Sequence, residues 1–373
     1  MQKNNTDLGY CGLANLGNTC FLNSCLQVLQ HTDELSQIIE KGLNQVIKND
    51  DDSILMKEWY ELSQLMWSAN GIVTPNKFVY NVQQTAFKKG KDIFTGWAQN
   101  DLSEFLLFLI DCFHTSLSRR VSFNIKGTSQ NDTDEIAIQS YRFLQSVYEK
   151  EYSEILDVFY GVYLTTIYPS SSDSNSSMKP LSIKDTASMK PLSIKDSASI
   201  KPLSIKPEHF FILDLQIFNM QNELQRPCQN IYECFDLFTA KEEMTGENAW
   251  YNEKTGKKQD IFKTMTFWSL PKILVIILKR FSPDGSRKLQ NHIDFPLSGL
   301  DLSKYVRGYN PQSYQYDLFG VCNHMGGVNG GHYTSYVKNR VGQWIHYNDT
   351  NVERIDSSQI VSPKAYCLFY RKK

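Results

Sequence analysis

The first half of the chain carries its apolar residues in a helical rhythm. After Cys20, Leu22, Leu26 and Leu29 fall at i, i+4 and i+7, the single stripe of a buried helix face. Asn18 or Thr19 would cap that helix, and the glycines and asparagines before Cys20 read as an irregular loop. The pattern therefore predicts Cys20 in the first turn of a helix that points into the core. A second helix is predicted over about 100–117, with Phe105, Leu106, Leu109, Ile110 and Phe113 as its apolar face and Asp101 and Glu104 in its first turn. A third, over about 138–148, is carried by Leu144, Val147 and Tyr148, and the polar stretch 121–134 between them reads as a loop.

The rhythm breaks at Ser170. A serine-rich stretch leads into Met178–Ser188, which recurs almost unaltered as Met189–Ser199 and in shortened form as Ile200–Lys206. Every copy holds a proline and too few apolar residues to build a core, and the copies are locally basic. The expectation is a disordered, low-complexity insertion over 170–206. Beyond it the pattern is β. Phe210–Phe218 alternates, Ile273–Phe281 is a continuous apolar run, and Tyr316–Val321, Tyr333–Val337, Trp344–Tyr347 and Ala365–Tyr370 are further strands. Helices followed by antiparallel strands make an α+β fold, with the helices packed to one side of the sheet.

Composition narrows the function. A formal net charge of −1 gives a polyanion nothing to be drawn to, so nucleic acid is not an expected partner. The longest strongly apolar run, Ile273–Leu278, is far too short to span a bilayer. The cysteines Cys11, Cys20, Cys25, Cys112, Cys228, Cys234, Cys322 and Cys367 form no CxxC pair, and no signal-peptide pattern precedes them. Free thiols in a reducing, intracellular compartment, cytoplasmic or nuclear, are expected.

A nucleophilic thiol needs a favoured thiolate, a base within reach and donors for an oxyanion. The loop–helix junction at Cys20 supplies the first through the helix N-terminus and the third through unpaired backbone N–H groups, to which Asn15 can add a side-chain amide. His31, His114, His209 and His292 stand in contexts with nothing catalytic nearby. His332 differs, because it follows the glycine-rich stretch 326–331 and opens the strand Tyr333–Val337. Pairing Lys338 with Gln343 across the next turn sets His332 opposite Asp349, and a shift of one residue sets it opposite Asn348. Either residue can orient a base, so the residues alone describe a Cys–His–Asn/Asp protease.

Taken together these segments resemble the ubiquitin-specific protease family. Gly12-Leu-Ala-Asn-Leu-Gly-Asn-Thr-Cys20-Phe-Leu-Asn-Ser24 is similar to its cysteine box. Tyr316-Asp-Leu-Phe-Gly-Val-Cys-Asn-His324, Gly331-His332-Tyr-Thr-Ser-Tyr336 and Trp344-Ile-His-Tyr-Asn348-Asp349 resemble its histidine box. Gln99-Asn-Asp101-Leu-Ser-Glu104-Phe105, Leu278-Lys-Arg-Phe281 and Ala365-Tyr-Cys-Leu-Phe-Tyr370 match further landmarks in order.

The resemblance implies a papain-like fold with a helical thumb, a β palm and β fingers, forming one catalytic domain over 1–373. It implies Cys20 as nucleophile, His332 as general base, Asn348 as the residue that orients His332, and Asn15 as oxyanion donor. Asp349 is left to support the imidazolium or a bound water. Asp101 and Glu104 match positions that receive the arginines of ubiquitin's tail, although first-turn acids also stabilise any helix. Gly326–Gly331 match a loop that roofs the tail channel, and the resemblance implies Gln99, Gly330, Gly331 and Tyr333 as further substrate-binding residues.

Many members bind zinc in the fingers through two CxxC pairs. Here those would fall near Tyr168–Ser172 and Tyr251–Lys254, which hold no cysteine, so neither a structural zinc nor any cofactor is expected. The implied reaction is hydrolysis of the isopeptide or peptide bond after ubiquitin's terminal glycine, by a monomer whose partners are ubiquitin and ubiquitinated proteins. The alternatives are a non-catalytic ubiquitin-binding module and a protease for another ubiquitin-like modifier.

Overall fold

A computed structural model describes residues 9–45, 50–68, 71–170, 201–219, 226–282, 284–327 and 330–373. Seven helices come first: α1 (Cys20–Gln30), α2 (Asp33–Gln45), α3 (Asp51–Ser68), α4 (Asn76–Lys88), α5 (Leu102–Leu117), α6 (Asp132–Tyr148) and α7 (Glu154–Phe159). A short parallel pair, β1 (Gly12–Leu13) with β2 (Ile72–Val73), ties the segment before α1 to the end of α3.

All eleven residues of α1 are buried, because it lies between α5 and the sheet. Its leucine stripe fills the core, and its polar side chains each find a partner across the packing surface. Ser24 Oγ donates to the Thr334 carbonyl (2.9 Å), Gln27 Nε2 to that of Cys11 (2.8 Å) and Gln30 Nε2 to that of Ser63 (3.1 Å). These bonds fix the helix's rotation about its axis, although the amide oxygens of Gln27 and Gln30 are buried without a protein partner. The central helix α5 is apolar nearly all round and is buried accordingly.

The palm is a sheet in the order β15–β14–β13–β12–β16–β10–β5, with β11 on the side of β12. Its strands are β5 (Ile212–Gln216), β10 (Ile273–Lys279), β11 (Ser298–Asp301), β12 (Gln315–Gly327), β13 (Gly330–Lys338), β14 (Trp344–Asn348), β15 (Asn351–Ile355) and β16 (Ala365–Lys372). All neighbours are antiparallel except β10 with β5. The run Ile273–Leu278 is continuously apolar because both faces of β10 are covered. Ile273, Val275 and Ile277 join the core shared with the helices, while Leu274, Ile276 and Leu278 join a second core beneath α8 (Ile231–Phe238). Each such side chain stabilises the fold by about 1.5–3 kcal/mol relative to exposure.

The fingers are a four-stranded sheet, β4–β3–β9–β6, formed by β3 (Gly161–Pro169), β4 (Ser204–Phe210), β6 (Glu242–Met244) and β9 (Ile261–Ser269). A small hairpin of β7 (Trp250–Asn252) and β8 (Lys257–Gln259) lies beside it, and α6 covers a third core around Val162, Leu164 and Trp268. Of the two segments expected to lack zinc ligands, Tyr251–Lys254 lies in the β7–β8 hairpin, and of the other only Tyr168–Ser170, at the end of β3, lies within the described residues.

Several expectations need correction. The segment Phe210–Phe218 is not one strand, since the chain leaves the fingers at Phe211 and enters the palm as β5. The third helix starts at Asp132 rather than 138, because Asn131 Oδ1 caps it by accepting from Asp134 N–H (3.0 Å). Residues 171–200 of the expected disordered insertion lie outside the described residues. The insertion's expected end at Lys206 is too late: Ser204, Ile205 and Lys206 pair with Ile167, Thr166 and Thr165 as the start of β4. Ile205 packs there on the third core, which is the burial that local composition did not reveal.

Candidate active site

The loop before α1 is shaped by one side chain. Asn15 Oδ1 accepts from the backbone N–H of Gly17 (3.0 Å) and of Thr19 (3.2 Å), and the chain turns through left-handed backbone at Gly17 and Asn18. Thr19 occupies the N-cap position, yet its hydroxyl accepts from Leu16 N–H instead of capping the helix. The first N–H groups of α1 are therefore left without a side-chain cap, beside Cys20.

Cys20 is buried at this junction. Burial pushes its thiol above the ordinary value, and the Asp349 carboxylate adds to that, while the backbone N–H groups of Tyr333, Phe21 and Cys20 itself act against both. The Tyr333 contact places the sulfur against the residue that follows His332.

His332 stands near the start of β13, where it pairs with Met325 of β12. Its Nε2 lies 2.6 Å from Asn348 Oδ1. With that oxygen as acceptor, Nε2 carries the proton and the lone pair sits on Nδ1. The register differs from both expected ones. Lys338 pairs with Trp344, because the Asn339 side chain organises a longer turn by accepting from Val341 and Gln343 N–H, and the β13–β14 ladder stops at Ser335–Tyr347. Asn348 thus reaches His332 from beyond the end of the ladder, not from directly opposite it.

Asp349 serves the other wall. The chain reverses between Asn348 and Asn351, with Asp349 in left-handed backbone, so its side chain turns away from His332. Its Oδ1 accepts from Asn23 Nδ2 (2.8 Å), its Oδ2 from Asn15 Nδ2 (2.9 Å), and its carbonyl from Leu13 N–H (2.9 Å). Asp349 therefore locks the Cys20 loop to the sheet that carries His332. Gly12 permits this approach, since a Cβ there would come within 2.6 Å of the Thr350 carbonyl oxygen.

Beside this site Gln99 and the glycines before His332 pack directly on one another. The Gln99 amide bonds both backbone groups of Gly331, donating to its carbonyl (3.0 Å) and accepting from its N–H (3.0 Å). A Cβ on Gly331 would fall 2.2 Å from His324 Nε2 and 2.3 Å from the Met325 carbonyl oxygen, and one on Gly330 would fall 2.8 Å from Gln99 Oε1. Asp101 caps α5, its Oδ1 accepting from Ser103 N–H (2.7 Å), while its Oδ2 takes the hydroxyls of Tyr366 (2.6 Å) and Tyr333 (3.5 Å). Glu104 is exposed.

The structure thus brings Asn15, Cys20, His332, Asn348 and Asp349 to one junction, with Gln99, Asp101, Gly330, Gly331 and Tyr333 along the approach. Sequence reasoning missed Asn23, His324 and Tyr366. Asn23 and His324 sit inside recognisable motifs without any local hint of role. Tyr366 lies in the landmark Ala365–Tyr370, but its role shows only when β16 closes against β12 and brings it to Asp101.

A family model described as ubiquitin carboxyl-terminal hydrolase matches residues 11–370. Ubiquitin carboxyl-terminal hydrolase 2 of Bos taurus is 31% identical over 373 residues, covering 97% of this chain and 55% of that protein. Ubiquitin carboxyl-terminal hydrolase Usp2 of Drosophila melanogaster is 30% identical over 371 residues, covering 98% of this chain and 35% of that protein. The chain spans about half the length, or less, of these curated relatives. Among solved structures, the SAGA DUB module of Ubp8, Sgf11, Sus1 and Sgf73 bound to monoubiquitin matches with a TM-score of 0.69 at 23% identity, covering 100% of this chain and 71% of that one. The same module bound to ubiquitin aldehyde matches with a TM-score of 0.67, also at 23% identity and with the same coverage. The fold is therefore the α+β, papain-like one with helical thumb, β palm and β fingers, and the match runs from the loop before Cys20 to the last strand. The chain belongs to the ubiquitin carboxyl-terminal hydrolase family, among its ubiquitin-specific proteases.

Proposed function

We propose that this chain is a cysteine-type deubiquitinase that hydrolyses the isopeptide or peptide bond after ubiquitin's terminal glycine. The observation that carries the reading is the junction itself. A buried thiol at an uncapped helix N-terminus faces the strand of a histidine whose Nε2–H is held by Asn348.

His332 Nδ1 takes the Cys20 proton, and the sulfur attacks the glycine carbonyl. The oxyanion is received by the first N–H groups of α1 and by Asn15 Nδ2, which turns from Asp349 to do so. His332 then protonates the departing amine. Water, deprotonated by the same imidazole, cleaves the thioester and frees ubiquitin's carboxylate. Every proton is handled by His332, so the chemistry requires no cofactor.

The tail enters by displacing the Gln99 amide from Gly331 and then lies between Gln99 and Gly330, Gly331 and Tyr333, with Glu104 and Asp101 receiving its arginines. The partners are ubiquitin and ubiquitinated proteins, and the enzyme acts as a monomer inside the cell, in cytoplasm or nucleus. No helix among the described residues is long and apolar enough to cross a membrane. A panel of electrophilic C-terminal probes built on ubiquitin and on other ubiquitin-like modifiers tests the substrate class. Adduct formation at Cys20 by the ubiquitin probe alone is expected, and preferential labelling by another modifier overturns it.

A further inference from the structure

At the end of β13 remote from His332, the palm holds a cavity of about 390 Å³. Lys338 on its wall is six residues from His332, or about 20 Å along the strand at ~3.3 Å per residue. Five cationic side chains line it: Lys338, Arg340, Arg371, Lys372 and Lys373.

Three of these have carboxylate partners. Arg340 pairs with Asp33 (2.5 Å), Arg371 with Glu34 (2.9 Å) and Lys373 with Asp317 (3.1 Å). The other two do not. Lys372 Nζ meets only the Ser313 hydroxyl (3.2 Å) and the face of Tyr314, and no carboxylate reaches Lys338 among the described residues. Lys338 and Lys372 thus face the cavity without a carboxylate side chain paired to either among the described residues.

The arginines are also held in place. Arg340 stacks over Trp67 at 4.7 Å and Arg371 over Phe319 at 4.5 Å, and Arg371 further donates to the His31 carbonyl (3.1 Å). His31 itself adds no charge, since burial pushes its pKa down to about 4. Both guanidinium forks are taken by Asp33 and Glu34, so the ammonium groups of Lys338 and Lys372 are the ones left to meet an oxyanion.

We propose that this cavity binds a phosphomonoester dianion, presented on a phosphorylated side chain of a partner protein. Two ammonium groups without carboxylate partners suit a dianion better than a monoanion. The volume is over ten times a water's share of about 30 Å³, leaving room for the residue that carries the phosphate as well as the phosphate itself. The site stands on the far end of the palm sheet and does not depend on the catalytic reading.

The test is a 31P NMR titration of the full chain with two probes, inorganic phosphate and a pentapeptide of phosphoserine flanked by alanines. The phosphopeptide resonance should shift saturably, with an affinity about tenfold or more above that of inorganic phosphate and falling as salt is raised. The double variant Lys338→Gln/Lys372→Gln should weaken it by about tenfold or more, while Lys257→Gln on the exposed β7–β8 hairpin should not. Turnover of a ubiquitin amide by the double variant should match the parent protein, which separates loss of this site from loss of the fold. Equal affinity for the two probes overturns the protein-borne source. Absence of saturable binding by either, or binding that the double variant leaves unchanged, overturns the site.

Discussion

Asn348 and Asp349 are adjacent in sequence and serve opposite walls of the cleft. Asn348 Oδ1 holds His332 Nε2 at 2.6 Å, whereas Asp349 turns back to the side chains of Asn15 and Asn23. The tight reversal after β14 makes this division, because consecutive residues at a strand end point to opposite sides and Asp349 adopts left-handed backbone. The two residues therefore fail differently when changed.

Asn348→Ala removes the acceptor that fixes the imidazole's tautomer and ring angle. On a ubiquitin C-terminal amide kcat should fall by about 10²-fold with KM little changed, the scale of lost general acid–base assistance. Asn348→Asp keeps an acceptor and should lose less. A rise in KM at unaltered kcat would show that Asn348 contacts substrate instead.

Asp349→Asn acts on the thiol. The carboxylate is one of the influences that raise the Cys20 pKa, so removing its charge lowers that pKa. Iodoacetamide alkylation of Cys20 followed against pH should show its midpoint move to lower pH, and a move upward contradicts the assignment. The same raised pKa has a sign in stability. The folded protein holds the Cys20 proton more tightly than the unfolded chain does. This contribution is full below the ordinary thiol value and is lost as pH climbs through the folded one.

Gly331→Ala places a methyl 2.3 Å from the Met325 carbonyl oxygen, a backbone atom held in the β12–β13 ladder. Destabilisation of about 1–3 kcal/mol is expected from such overpacking, read as a lower urea midpoint, together with loss of turnover. Adding His324→Ala relieves only the side-chain clash, so recovery should be partial. Full recovery in the double variant would mean that the backbone clash does not operate.

Asp101 is engaged as a helix cap and by two tyrosine hydroxyls, and the proposed function asks it to meet ubiquitin's arginines as well. Asp101→Ala should lower stability by about 1 kcal/mol through the lost cap. Asp101→Asn keeps a capping oxygen but turns an amide donor to the two tyrosine hydroxyls, so it should lose less stability than Asp101→Ala while KM rises. Glu104→Gln, on an exposed side chain, should raise KM with no change in urea midpoint. An unchanged KM in both neutral variants removes the acidic residues from tail recognition.

Much of this architecture was legible because burial on both sides leaves a plain mark. The unbroken run Ile273–Leu278 is a strand between two cores, and the Leu22, Leu26, Leu29 stripe is the core face of α1. Geometry set by turns and by distant contacts was not legible. The β13–β14 register depends on Asn339 accepting two backbone N–H groups, which lengthens the turn by one residue and shifts every pair. Helices α2 to α4 escaped notice, since α3 buries polar residues such as Ser53, Glu58 and Ser63 among its apolar ones and so blurs its stripe. The burial of Ile205 depends on β3 and α6, both well before it in the chain. Within the site, Cys20, Asn15 and His332 announced themselves by residue type and setting. The bond from Tyr366 to Asp101 joins residues far apart in sequence and exists only once the sheet closes.

The central claim is that Cys20 is the nucleophile of a ubiquitin hydrolase, and release of fluorophore from a ubiquitin C-terminal fluorogenic amide tests it most directly. The parent protein should turn the substrate over repeatedly, and Cys20→Ala should abolish release while keeping the parent's urea midpoint. Parent turnover no faster than that of Cys20→Ala, or undiminished turnover in that variant, would contradict the account.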